Sequence, residues 1–333
     1  MNRMDTMSTA ALEAMIHVLD LEPSDRVLIV TDSATASCGQ AFAVGAKNHG
    51  CPVTVYNLPE YNRPLRKMPD EMPALLDNVS VAVNAISGDA REVPFRLQWI
   101  HAIEMNGSVR MGHSPGINED MMVSGPMNID YRKMFETATG LMEGFAGATS
   151  VRITTPAGTD LHLDVTDRPF VHDLKATVKV GANLPCGEIY CAPVETGTDG
   201  TLVIDGGFGS HGPISSPVAI TLNTGRAVDV TGDDDEVVGI INGLMDTDAG
   251  SRTIAELGIG LNPGARLTSR ILEAEKAYHT AHIAFGSNEG FPGGVNHSTM
   301  HMDYLFMRPN MEVFFPDGAS RLVIEDGKPV FKG

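Results

Sequence analysis

The sequence predicts an α/β domain with a mostly parallel sheet over residues 1–145 and a second, β-rich α+β domain over residues 146–333. Two observations predict this fold class. In the first half, apolar runs of strand length alternate with helical patterns, as in parallel sheets with helical crossovers. After Gly147, short strands follow one another between turn residues, and the 35 glycines and 20 prolines of the chain suit such turns.

The first half is expected to begin with a helix, because Ser8 is a candidate N-cap and the apolar residues after it recur at helical spacing. The other elements predicted there are strands over 26–32, 52–56 and 79–85 and helices over 38–48, 71–76, 93–105 and 131–142. The loop after the first strand, residues 31–39, lacks the G-x-G-x-x-G turn of dinucleotide-binding domains. We therefore expect no nucleotide site in this domain.

In the second half, strands are predicted over 151–155, 161–165, 201–205 and 218–222. An acidic run over 231–236 lacks the ligand spacing and the distal glutamate of an EF-hand loop. We interpret this run as a solvated loop that leads into a helix N-terminus.

Charge and composition restrict the classes of partner. The chain has 24 Lys and Arg against 42 Asp and Glu, a formal net charge of −18, which disfavours nucleic acid and anionic membranes as partners. The sequence has no uncharged apolar stretch of membrane-spanning length and no signal-peptide pattern at its start, so a cytoplasmic location is expected. The four cysteines fit neither a disulfide scaffold nor a zinc ribbon and are expected to be free thiols.

Histidines cluster near the end of the chain, where His279, His282, His297 and His301 fall within 23 residues. On a strand, residues i and i+2 project from one face, so the imidazole of His301 and the carboxylate of Asp303 would emerge side by side. This geometry suits two metal ligands. The alternative is a structural histidine that is hydrogen-bonded to its neighbouring aspartate.

Two glutamates have unusual surroundings. Glu188 and Glu256 both lie among glycine, proline and apolar residues, where a buried charge is costly unless it is paired or bound to a cation. An exposed glutamate at a strand start is the alternative for each. Together with His282, His301 and Asp303, they form a set of oxygen and nitrogen donors that suits Zn, Mn, Co or Fe better than calcium.

Four segments, 183–193, 255–263, 275–286 and 301–303, resemble the aminopeptidase T family of metallo-aminopeptidases, and the match covers most of residues 180–305. The resemblance implies an α/β domain, a mainly β domain with one or two divalent ions, and a homodimer that encloses the active sites. It implies a hydrolase that releases N-terminal residues from peptides or cleaves a small amide. The metal ligands that it implies are Glu188, Glu256, His282, His301 and Asp303.

The sequence departs from this family at one position near the metals. Typical members carry a tyrosine seven residues after the histidine that matches His282, and this chain has Glu289 there. Glu289 could replace the tyrosine as a carboxylate ligand, or Tyr278 or Tyr304 could take its place. Glu188 and Asp303 are the expected bridging or water-orienting carboxylates, with Glu289 or Glu275 as the general base.

Two other functions remain open at this point. Residues 286–303 are also similar to the 2,5-dihydroxypyridine dioxygenases, iron enzymes that use two histidines and one carboxylate. Those enzymes have a histidine at the position of Glu256 and no match to His282, so the glutamates and histidine retained here favour the hydrolase. The third interpretation is a binding protein that kept the fold and lost the chemistry.

Overall fold

A computed structural model describes residues 2–330 of the chain, which form two compact units. The first unit comprises the residues up to Arg132 together with Asp173–Cys186. The second comprises Lys133–His172 and the residues from Gly187 onward. The chain thus leaves the first unit, begins the second, returns to the first for one short segment, and then completes the second. The domain boundary at residues 145 and 146 stays a prediction.

The helices and strands occupy the following positions. The helices are α1 (Arg3–Leu19), α2 (Ala36–Asn48), α3 (Val93–Asn106), α4 (Glu119–Val123), α5 (Tyr131–Phe145), α6 (Asp235–Met245) and α7 (Ile271–Ala274), with 3-10 helices at Glu60–Asn62, Met72–Leu76 and Ala90–Glu92. The strands are β1 (Val27–Thr31), β2 (Val53–Asn57), β3 (Val81–Ile86), β4 (Arg110–Pro115), β5 (Ser150–Thr154), β6 (Asp160–Asp164), β7 (Val171–His172), β8 (Ala182–Asn183), β9 (Glu188–Cys191), β10 (Thr198–Ile204), β11 (Gly207–Phe208), β12 (Val218–Asn223), β13 (Arg226–Gly232), β14 (Ile254–Gly260), β15 (Thr280–Gly286), β16 (His301–Met307), β17 (Asn310–Phe314), β18 (Ser320–Glu325) and β19 (Lys328–Pro329).

The first unit contains a five-stranded parallel sheet in the order β2-β1-β3-β4-β8. Strands β1 and β3 are buried along their whole length, as expected for central strands of a parallel sheet. Phe95 and Trp99 of α3 are fully buried, and the indole N–H of Trp99 donates to Asn84 on β3. The predicted α/β fold with a mostly parallel sheet is confirmed for this part of the chain.

The predicted cap of the first helix is wrong. Helix α1 begins at Arg3, and its N-cap is Asn2, whose side chain accepts a hydrogen bond from the backbone N–H of Asp5. The Asp5 carboxylate accepts from the backbone N–H of Asn2 in return, which completes a capping box. Ser8 instead lies inside the helix and is buried, with its hydroxyl donating to the carbonyl of Asp5.

A network of ion pairs and hydrogen bonds lies at the carboxyl ends of β1 and β3. The order of the strands reverses between β1 and β3, the place where open α/β sheets bind ligands most often. Here the Arg63 guanidinium lies 3.0 Å from Asp32 Oδ2 and 2.5 Å from Glu92 Oε1, and it also donates to the Ser87 hydroxyl. Both carboxylates are almost completely buried. Internal groups therefore satisfy the charges at this edge.

The second unit contains two antiparallel sheets. One has eight strands in the order β13-β12-β10-β6-β5-β17-β18-β19, and the other has six in the order β11-β16-β15-β14-β9-β7. The predicted β-rich second domain is therefore confirmed. The acidic run ends as interpreted, with Asp234 capping the N-terminus of α6 through bonds from Glu236 and Val237. The six-stranded sheet is the element that positions the candidate site.

Two further features concern expectations from composition. Among residues 2–330, no helix combines the length and the apolar character that a membrane span requires. All four cysteines are buried, and within the described chain no disulfide joins any two of them. Burial raises the pKa of Cys38 to about 11, so that thiol stays protonated and weakly nucleophilic at neutral pH.

Candidate metal centre

Strands β9, β14, β15 and β16 lie side by side and present the predicted ligands on one face of the six-stranded sheet. Asp303 pairs with Ala284, and Ala284 pairs with Glu256 on its other side, so the two carboxylates lie on the same face. A bulge at Ala255 sets this register, because it shifts the pairing between Ile254 and Glu256.

The five predicted ligands form two overlapping groups, each with its ligand atoms within 4.8 Å of one another. One group is Glu188, Glu256 and His282, and the other is Glu256, His301 and Asp303. Glu256 belongs to both. Its Oε1 lies 3.6 Å from His282 Nε2, and its Oε2 lies 3.0 Å from His301 Nε2.

The remaining distances complete the cluster. His282 Nε2 lies 3.8 Å from Glu188 Oε2, and His301 Nε2 lies 3.3 Å from Asp303 Oδ1. The second ring nitrogen of His301 lies 2.7 Å from the carbonyl oxygen of Ser287, a contact that fixes the ring orientation. Four of the five residues are buried, and His301 is the exposed one, with 31% of its side-chain surface accessible.

Small residues make room between the ligands. Gly258 lies opposite His282 in the sheet, and a Cβ atom at Gly258 would lie only 2.1 Å from His282 Nε2. Gly286 pairs with His301, and Ala284 separates Glu256 from Asp303. The ligand face therefore alternates metal-binding residue types with residues that have little or no side chain.

A buried cation adjoins the cluster. Lys276 is fully buried, and its Nζ lies 3.2 Å from Glu188 Oε1 and also contacts the carboxylate of Glu275. Glu275 follows α7, and its side chain is 14% exposed. Burial raises the pKa of Glu275, and the charge of Asp303 adds to that effect. The predicted residue Glu275 is therefore brought to the cluster.

Mutual attraction within the cluster favours the charged form of its members. Burial raises the pKa of Glu256 and Asp303, but the neighbouring histidines outweigh it and hold both pKa values below the ordinary range. Burial lowers the pKa of His282, but Glu256 and the other carboxylates raise it to about 9. The same balance raises the pKa of His301.

None of the three predicted catalytic residues, Glu275, Glu289 and Tyr278, belongs to either ligand group. Glu289 forms a 2.7 Å ion pair with His297, and its side chain is 56% exposed. The Tyr278 ring lies edge-on to the ring of His279, with 4.3 Å between their centroids, and its backbone N–H donates to Asn262. Tyr304, the other candidate replacement, is fully buried, and its ring stacks on Phe208.

The donor set fits a divalent metal ion. Three carboxylates and two imidazoles are hard to borderline ligands. The Nδ1 atom of His282 is buried and has no hydrogen-bond partner among residues 2–330. The ligand atoms form two groups that share the Glu256 carboxylate. Such an arrangement suits a site for one or two ions.

Sequence reasoning missed Lys276 and the glycines of the ligand face. Lys276 follows Glu275 directly in the chain, and nothing in its local pattern indicates burial. A signal did exist for the glycines. In the stretches Glu256-Leu-Gly-Ile-Gly260 and His282-Ile-Ala-Phe-Gly286, the ligand and the small residues recur at every second position, which places them on one face of a strand.

Part of the chain matches a known protein family. The sequence profile of the family described as thermophilic metalloprotease (M29) matches residues 145–328. Aminopeptidase AmpS of Bacillus subtilis strain 168 is 26% identical over 170 residues, which cover 45% of this chain and 39% of that protein. The aligned part of the chain thus spans well under half the length of this curated relative.

Two solved structures share the fold. Wild-type AmpT from Thermus thermophilus has a TM-score of 0.68 at 16% identity, covering 98% of this chain and 99% of that one. The 2,5-dihydroxypyridine dioxygenase from Pseudomonas putida KT2440 has a TM-score of 0.71 at 16% identity, covering 97% and 96%. The profile match extends over more than half of the chain and includes all five clustered residues, so the chain belongs to the thermophilic metalloprotease (M29) family.

Proposed function

We propose that this chain is a metal-dependent hydrolase of the aminopeptidase type, which removes the N-terminal residue of small peptides or cleaves a small amide. The observation that carries the proposal is the position of Glu256, whose two oxygens face different histidines in two overlapping ligand groups. The family membership and the similarity to an aminopeptidase support the same reaction.

In this proposal Glu188, Glu256 and His282 would hold one divalent ion, zinc, cobalt or manganese, and Glu256, His301 and Asp303 would hold a second. Glu256 would then be shared by both sites, because it belongs to both groups, whereas Glu188 and Asp303, the carboxylates expected from the sequence to bridge, each belong to one. When bound, such ions polarise a carbonyl and bring the pKa of water toward neutrality.

The chain's own groups supply the proton transfers and the positioning. Glu275 is our choice of general base, because its carboxylate is mostly buried and contacts Lys276, which in turn contacts Glu188. It accepts the proton of the attacking water and delivers a proton to the leaving amine. Glu289 is less suited to this role because its side chain is 56% exposed, against 14% for that of Glu275.

The proposal includes a homodimer and a peptide or small-amide substrate. Size-exclusion chromatography with light scattering tests the homodimer. A mass near twice 35.5 kDa supports it, and a mass near 35.5 kDa contradicts it.

Metal content and hydrolysis test the proposed reaction together. We expect about two equivalents of zinc, cobalt or manganese per chain by elemental mass spectrometry, and release of 7-amino-4-methylcoumarin from aminoacyl conjugates. The Glu256→Gln variant should lose both metal and activity while keeping its circular dichroism spectrum. Glu325→Gln is the matched control, since Glu325 is an exposed carboxylate on β18. Full activity of Glu256→Gln would refute the assignment.

The alternative is a ring-cleaving iron dioxygenase, which the structural similarity to 2,5-dihydroxypyridine dioxygenase favours. The pair His301 and Asp303 fits such a site, since both side chains converge within 3.3 Å. About one equivalent of iron in protein purified without oxygen, with oxygen consumption in the presence of a dihydroxypyridine, would replace the hydrolase proposal with this one.

A further inference from the structure

An aromatic wall borders the ligand cluster on one side. Tyr190 lies two residues after Glu188 on β9, so both side chains leave the same face of the strand. Tyr190 pairs with Gly258, and Gly258 pairs with His282 on its other side. The tyrosine therefore stands in the same row of the sheet as a proposed ligand, with only a glycine between them.

Phe291 extends this wall from the loop between β15 and β16. Its ring centroid lies 5.2 Å from the ring of Tyr190 and 5.4 Å from the ring of His301, where the rings meet nearly edge to face. Tyr190 and Phe291 are both only partly buried. The two partly exposed rings thus border the cluster from Tyr190 on β9 to Phe291 beside His301.

The loop that carries Phe291 is firmly anchored in the second unit. Asn288 is 1% exposed and donates to Glu195 and to the carbonyl of Ala255. Asn296 donates to the carbonyls of Gly250 and Gly286.

At its far end, the same loop is held by a carboxylate. Asp248 accepts hydrogen bonds from the hydroxyls of Ser298 and Thr299 and from the Thr299 backbone N–H. An aromatic side chain on a loop fixed at both ends is held ready for a ligand, so its ordering costs little when a ligand binds.

We propose that Tyr190 and Phe291 form the subsite for the side chain of the N-terminal residue, and that this subsite selects aromatic and large aliphatic residues. This inference rests on the proposed aminopeptidase reaction. The wall presents ring faces and edges beside the cluster, and the charged pair of the same loop, Glu289 and His297, is turned to solvent. Burial of an apolar side chain against two rings stabilises the complex, while a carboxylate there would lose hydration without a partner.

The test compares wild-type protein with Phe291→Ala on phenylalanyl, leucyl, alanyl and glutamyl conjugates of 7-amino-4-methylcoumarin. Wild-type kcat/KM should be highest for the first two. In Phe291→Ala, the loss should be at least about tenfold greater for phenylalanyl and leucyl than for alanyl substrates. Phe291→Leu should restore most of the preference. Phe135→Ala is the matched control, because Phe135 is also partly exposed and lies edge-on to a histidine, His172.

A second readout separates failure of the subsite from failure of the reaction. Isothermal titration calorimetry measures binding of free L-phenylalanine and L-alanine to the metal-loaded protein. The protein could fail to hydrolyse any conjugate and still bind phenylalanine more tightly than alanine, with this preference lost in Phe291→Ala. That result would support the subsite and contradict only the proposed reaction. A uniform loss over all substrates, with metal content falling in parallel, would overturn the subsite and leave Phe291 as a support for His301. Equal preference in variant and wild type would overturn it too.

Discussion

The tight packing of Gly258 against His282 provides the most direct test of the candidate site. A Cβ atom at Gly258 would lie 2.1 Å from Nε2 and 2.2 Å from Cε1 of His282, whereas ordinary contacts begin near 3.4 Å. In Gly258→Ala the ring must therefore move by about 1.3 Å, several times the roughly 0.2 Å that metal–ligand distances tolerate. His282 is buried between neighbouring strands, so we expect the overpacking to cost about 1–3 kcal/mol of unfolding free energy.

Metal affinity is the quantity that this substitution should change most. We expect about 100-fold weaker binding of Zn²⁺ in a chelator competition titration, since disturbed ligand orientation costs about 10–100-fold and displacement of the ligand itself lies at the upper end. The control is Gly239→Ala on α6, where no atom lies within 4 Å of the added Cβ. Wild-type affinity in a folded Gly258→Ala protein would show that His282 does not bind the metal.

Three further predictions concern charge and metal. Lys276→Met removes the cation beside Glu188 and Glu275 and should lower the unfolding free energy by about 3–5 kcal/mol in urea titrations with EDTA, and by less with saturating Zn²⁺. Burial raises the pKa of Asp32, but hydrogen bonds from Ser87 and other donors outweigh this effect and hold the pKa below its ordinary value. The ionised Asp32 carboxylate therefore stabilises the folded state at pH 7, and this stabilisation is lost below about pH 4. Urea unfolding of wild type and Asp32→Asn should therefore differ more at pH 7 than at pH 3. Removal of metal should lower the melting temperature. Zn²⁺ at about 100 times its dissociation constant should raise the free energy of unfolding by about 2.7 kcal/mol.

Each of these predictions has an outcome that contradicts it. Equal stability of Lys276→Met and wild type in EDTA would mean that the buried lysine does not stabilise the carboxylates. A stability difference at Asp32 that grows toward pH 3 would reverse the sign of its pKa shift. A melting temperature that is the same with EDTA and with Zn²⁺ would exclude metal binding by the folded protein.

Local patterns predicted several of the elements and the placement of His301 beside Asp303. The side-by-side placement of His301 and Asp303 follows from strand periodicity alone, and the structure brings Nε2 and Oδ1 within 3.3 Å. The central parallel strands β1 and β3 were also predictable, because continuous apolar runs mark strands that are buried on both faces. Helix ends were harder to predict, as the Asn2 cap shows. Several residues near a helix start can serve as the N-cap, and a local sequence pattern does not distinguish between them.

Long-range arrangement was beyond local patterns. Strand β9 pairs with β14 across more than 60 residues of chain, and nothing in either sequence encodes that partnership. The bulge at Ala255, next to Glu256, belongs to the pairing of β14 with β15, strands that a long loop separates in the chain. Lys276 is fully buried, and one of its partners, Glu188, comes from the distant strand β9. Tertiary contacts, which local propensity does not report, determine all three.

The six-stranded sheet has two faces with separate tasks. Opposite the ligands, Leu257 pairs with Ile283 and Ile283 with Tyr304, and all three side chains are fully buried. That apolar layer supplies the folding energy of these strands, while the ligand face contributes glycine, alanine and polar side chains. Exchanging one donor for another on the ligand face therefore leaves the layer that stabilises the sheet intact. A scaffold divided in this way tolerates the exchange of donors on one face, which gives a physical reason why AmpT and a protein named as a 2,5-dihydroxypyridine dioxygenase share this fold with the present chain at only 16% sequence identity.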